Sequence, residues 1–110
     1  MIDDTLAKIE QRLAGTTHLP DEKRRELLGL VAQLKTELAG MAKSDPDQAR
    51  SITGFTELSA HEATRHQPHA ATLRSAIDGL ESTVQGFEVA HPRLTAVVNR
   101  LAESLSNLGI

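Results

Sequence analysis

Leucine, isoleucine and valine recur every three or four positions along almost the whole of this chain, and no stretch alternates apolar and polar residues as a strand would. That is the period of a helix face and not of a strand. It confines the chain to all-α architectures, because an apolar stripe at this period is buried only by laying one helix on another. The stripes are Ile2, Leu6, Ile9 and Leu13, then Leu27, Val31, Leu34, Leu38 and Met41. Toward the C-terminus come Leu73, Ile77, Leu80, Val84 and Phe87, followed by Leu94, Val98, Leu101, Leu105 and Leu108. Each steps by four and three in turn, the heptad rhythm of coiled coils.

Helix-breaking residues divide the stripes. Gly15 follows the first and suits the left-handed conformation that ends many helices. Gly15 to Pro20 then reads as a loop, and Pro20-Asp21-Glu22 as the start of a second helix. Residues 1–43 therefore form a helical hairpin whose second arm, ~34 Å long at 1.5 Å per residue, is about twice the length of the first. Asp45 and Pro46 open a third helix, over 45–66, with Asp45 as cap and Pro46 in the first turn. Its apolar face reads Ala49, Ile52 and Phe55, continued by Leu58 or Ala63, and Gly54 with several Ser and Thr residues weakens it. Pro68 bars Gln67 from easy helical geometry, so the chain turns near His66. Over 69–108 the heptad phase runs from Phe87 through His91 to Leu94 without a break. That continuity favours one long helix kinked near Pro92 over two separate ones. Gly109 and Ile110 read as a C-terminal stop, with the glycine in the left-handed cap and the isoleucine folded back. The alternative for this end is an apolar tail that docks into a partner.

At 110 residues the chain is one domain by size. Its only aromatic residues are Phe55 and Phe87. Aromatics supply most of the bulk of ligand pockets, so thin leucine seams are expected instead of a deep cavity. The net charge is −3, and the one basic cluster, Lys23, Arg24 and Arg25, is flanked by Asp21, Glu22 and Glu26. This is the pattern of a solvated helix face, and no nucleic-acid partner is expected. There is no cysteine, which removes disulfide and thiolate chemistry. The N-terminal MIDDTLAKIEQRL carries acids where a secretory signal needs basic residues, and no run reaches the ~18 apolar residues of a membrane span. A cytoplasmic protein with no membrane partner is the expectation.

Two stretches, ITGFTELSAHEATR (52–65) and FEVAHPRLTAVVNRLAESLSNLGI (87–110), resemble a family of short helical bacterial proteins known as a domain of unknown function, DUF4404. Members of that family typically end in Phe-Glu, His-Pro, a leucine-rich run and Gly-Ile. The resemblance is good over the C-terminal half and loose over the N-terminal hairpin. It implies a bacterial source and an α-helical fold, and it brings no activity, cofactor or catalytic residue.

Two constellations could carry metal chemistry. HEATRHQPH holds His61, His66 and His69. A helical chelate needs ligands three or four apart. His61 and His66 are five apart, and Pro68 interrupts the three-residue step from His66 to His69. Surface pairs Glu57–His61 and Glu62–His66, at the end of a helix and its polar corner, are the expected reading. Glu88 and His91 have the Glu-x-x-His spacing of di-iron bundles, with Glu81 seven residues earlier. His91, however, continues the leucine seam, and Pro92 distorts the backbone beside it, so packing at the kink is expected. Nucleophilic catalysis finds no G-x-S-x-G elbow, and no glycine loop cradles a phosphate.

The expectation is an all-α, coiled-coil-like bundle built of a helical hairpin, a short helix and a long C-terminal helix. It has no catalytic residues, cofactor or bound metal. Leu73, Ile77, Leu80, Val84, Phe87, Leu94, Val98, Leu101 and Leu105 would form a homodimer interface, because one thin monomer would leave these seams bare. The expected role is non-enzymatic, a small adaptor or scaffold acting through self-association and binding of another protein. The alternative is a metal-binding or metal-sensing bundle using Glu88 and His91, or His61, His66 and His69.

Overall fold

A computed structural model of the protein describes residues 2–108. Five helices follow in order: α1 (Ile2–Gly15), α2 (Asp21–Ser44), α3 (Pro46–Ala63), α4 (Ala70–Ser82) and α5 (Pro92–Leu108). No strand occurs among the described residues. The stop expected at Gly109 and Ile110 lies outside them.

The leucine stripes of α1, α2 and α5 are buried as their spacing requires. Leu6, Ile9 and Leu13 of α1, Leu27, Leu34 and Leu38 of α2, and Leu94, Leu101 and Leu105 of α5 are almost inaccessible. Asp45 caps α3 as expected, its side chain accepting a hydrogen bond of 3.1 Å from the Gln48 N–H, with Pro46 in the first turn. At the edge of the core, the Ser104 hydroxyl of α5 donates to the exposed Glu26 of α2 at 2.9 Å.

α3 is the hub, the one helix that touches all four others. Its inner face differs from the expected one. Ala49, Ile52, Thr53, Thr56, Ser59, Ala60, Glu62 and Ala63 are buried, while Phe55 and Leu58 are exposed. The reason is steric, because the spacing of packed helices follows the size of the side chains between them. Small residues on α3 let helices approach from several sides. The threonine hydroxyls need no partner from a neighbouring helix. Thr53 donates to the Ala49 carbonyl at 2.8 Å, and Thr56 to the Ile52 carbonyl at 2.7 Å, each within its own helix. Ser59 is the exception: its Oγ is buried with no hydrogen-bond partner.

The long helix expected over 69–108 is two helices. α4 ends at Ser82, and residues 83–91 turn before α5 starts at Pro92. The Thr83 hydroxyl donates to the Leu80 carbonyl at 2.6 Å and closes α4. Gly86 has φ +88°, a left-handed conformation open to glycine and costly to other residues. Pro92 supplies no N–H and so fits the first turn of a new helix. The unbroken phase from Phe87 to Leu94 is a coincidence of spacing across an irregular segment. Separated in this way, α4 and α5 pack against each other and on α3. Leu73, Ile77, Leu80, Val84, Leu94, Val98, Leu101 and Leu105 lie in the chain's own core, with Phe87 half-buried against it. A contact between copies is therefore not needed to cover them.

Gly15 also departs from expectation. It stays within α1, and no left-handed residue ends that helix. Arg24 does that work from α2. Its Nε donates to the Leu13 carbonyl at 3.2 Å, and its Nη2 donates to the carbonyls of Thr16 and Leu19 at 2.6 and 2.9 Å. Asp21 holds the remaining Nη1. One member of the basic cluster is therefore a clamp that satisfies the open end of α1 and fixes the hairpin loop.

Candidate interaction surface

The histidines of HEATRHQPH are distributed around the corner between α3 and α4. His61 is on the last turn of α3, with Nε2 3.7 Å from Glu62 Oε2. Glu62 is buried and takes a closer partner, Arg65, at 2.9 Å. These contacts replace the expected pairs Glu57–His61 and Glu62–His66. His69 caps α4: its Nδ1 accepts from the Thr72 N–H at 3.3 Å and lies 2.8 Å from the Thr72 hydroxyl. His66 meets His18, from the α1–α2 loop, with ring centroids 5.9 Å apart and edge to face. Spacing along the chain could not reveal that pairing, because the two residues belong to different connections.

Glu88 and His91 are not on one helix. Glu88 is exposed in the α4–α5 connection, where its Oε2 accepts from the Gly86 N–H at 3.0 Å. His91 precedes α5, with its ring 6.2 Å from that of Phe87. It is the His91 backbone carbonyl, and not the imidazole, that takes part in the helix start, accepting from Thr95 N–H at 3.0 Å. Among the described residues no three His, Asp or Glu side chains are grouped closely enough to hold a metal ion together.

A different region gathers the features of a binding surface. A groove of about 790 Å³ runs between α1 and α3. On α1 its bank is Lys8, Gln11 and Arg12; on α3 it is Gly54, Glu57, Leu58 and His61. Both sets recur at three- and four-residue steps, so each is one stripe of its helix. Leu58 is 44% exposed, and Phe55 beside it on α3 is 37% exposed. The other large exposed apolar side chain among the described residues, Val89, is 96% exposed and stands apart in the α4–α5 connection.

Two glycines sharpen the picture. At Gly79 of α4, a Cβ would overlap the Phe55 ring, so the missing side chain is the seat of that ring. At Gly54 nothing lies within 4 Å of where a Cβ would be. A glycine inside a helix costs about 1 kcal/mol relative to alanine. At Gly54, on the α3 bank one turn before Leu58, a side chain would meet only open space. The charges are also divided between the banks. Lys8 and Arg12 lie on α1 and Glu57 on α3, and none of the three forms an ion pair among the described residues.

The spacing of apolar residues hid this surface because it put Phe55 on the buried face, with Leu58 as an alternative there to Ala63, which is the one buried. The signal was present. Ala49, Ile52, Thr56, Ser59 and Ala63 step by three, four, three and four, a stripe of mostly small residues that a search for large aliphatic ones passes over.

No helix of the described residues is long and apolar enough to cross a membrane. No curated protein and no solved structure matches the chain. Residues 29–110, from within α2 onward, match the family described as Domain of unknown function (DUF4404), and the chain belongs to that family.

Proposed function

We propose that this protein is a non-enzymatic binding protein, a small helical adaptor or scaffold that works by associating with itself and with other proteins. One observation carries the reading: the hub helix turns Leu58 outward, on the bank of the groove between α1 and α3. An apolar side chain set among polar ones on a concave surface is the usual anatomy of a protein contact. The same proposal takes the protein to act in the cytoplasm of a bacterium, the source implied by its resemblance. Light scattering up to about 200 micromolar, the weak end expected of a small contact, is the test. A mass near twice the 11.9 kDa of the chain is expected, and a clean monomer refutes self-association.

The reading as a metal-binding bundle draws on the His18–His66 contact. Two imidazoles supply half of a tetrahedral set, and the remaining ligands would be water. Zinc titration should give no one-to-one binding tighter than about ten micromolar. Tighter binding that is lost on His18→Gln and His66→Gln would establish this role instead.

A further inference from the structure

We infer that the α1–α3 groove is where two copies of this chain meet, about a two-fold axis, with the α1 bank of each copy laid over the α3 bank of the other. The inference rests on the self-association proposed above and gives it a surface.

The charges select a second copy as the occupant. A two-fold contact brings the same patch together twice, so the patch must complement itself. This one does. Its positive charges, Lys8 and Arg12, lie on one bank, and its negative charge, Glu57, on the other. With the axis running along the groove, superposition of two grooves sets Lys8 and Arg12 of each copy against Glu57 of the other, so both pairings are attractive. An occupant with a single sign of charge would be repelled by one bank. Leu58 of each copy then lies near the axis, where its exposed part is buried against its counterpart. Gly54, one turn earlier on the same stripe, leaves the room the opposing side chain needs. The core seams, which are buried within each chain, take no part.

A contact with one aliphatic anchor per copy is modest, so association should be visible by sedimentation between about 1 and 200 micromolar, and should weaken with salt as the rim charges are screened. Leu58→Glu should leave a monomer at every concentration. Lys8→Glu and Glu57→Lys should each weaken the dimer at least tenfold, because each sets like charges face to face. An equimolar mixture of those two variants should associate again. In the mixed pair the two reversed side chains face each other at one contact, and the native Lys8 and Glu57 face each other at the other. Both contacts are again between opposite charges.

The helical melting curve of each variant, taken at low concentration, shows that it is folded. A wild-type dimer that none of these changes affects overturns the groove as the interface and leaves self-association standing. Failure of the mixed variants to associate, when each alone is folded and monomeric, overturns the two-fold arrangement. A wild-type monomer at 200 micromolar overturns self-association itself, and this inference with it.

Discussion

α5 and α3 bury opposite kinds of surface. α5 turns Leu94, Val98, Leu101 and Leu105 inward and its charged residues outward, as an amphipathic helix of a small domain is expected to do. α3 turns threonine, serine and alanine inward and carries Leu58 and Phe55 outside. The difference follows from position. α5 touches α2, α3 and α4, and leucines fill the wide seams between them. α3 is crowded by all four other helices, and at that density small side chains fit where leucines would force the helices apart. With the rest of the inner face of α3 filled by small residues, Ile52 is the large apolar side chain it buries, and Phe55 and Leu58 lie outside. Phe55 finds partial shelter on Gly79, and Leu58 finds none within the chain.

Truncation separates the two kinds of interior most sharply. Leu101→Asp puts an unpaired charge in the α5 seam and should leave the protein unfolded, with the helical signal lost in far-UV circular dichroism at 25 °C. Leu101→Ala should cost about 3 kcal/mol in urea denaturation, from lost burial and the cavity left behind. Thr56→Ala, equally buried, should cost only about 1 kcal/mol, because it removes a methyl and a hydroxyl whose bond lies within its own helix. Equal losses at the two sites would mean that α3 is held by large-residue packing after all.

A smaller effect of opposite sign is expected where α3 carries its uncompensated atom. Ser59→Ala removes a buried hydroxyl with no partner and adds helix propensity, so it should stabilise the protein by about 1 kcal/mol. A loss of stability would show that the hydroxyl has a partner, such as a bound water. Gly54→Ala should likewise raise the melting temperature by a few degrees, the gain from helix propensity. A fall would mean that the chain's own packing needs the glycine.

How much of this was legible in the sequence depended on side-chain size and on chain distance. Leucine spacing located α2 and the seam of α5, and Asp45-Pro46 located the start of α3, because large apolar residues and caps act locally. The face of α3 was hidden because small residues take part in a core without announcing it in hydrophobicity. The break between α4 and α5 was hidden by regular spacing on either side of Gly86, although the left-handed turn there is a role glycine commonly fills. Arg24 read as part of a solvated face because its partners, the carbonyls of Leu13, Thr16 and Leu19, belong to backbone that only the folded hairpin brings within reach. The groove shows only in the folded chain, where Leu58 turns outward and the C-terminal seams lie in the core.

Leu58→Glu tests most directly the claim that the outer face of α3 binds while its inner face holds the fold. Its thermal melt and its sedimentation should be measured on the same sample. The melt at low concentration should stay within about 0.5 kcal/mol of the wild type, the range for surface substitutions, while the dimer seen for the wild type at high concentration is lost. A variant that melts far earlier, or that keeps the wild-type mass, would contradict the account.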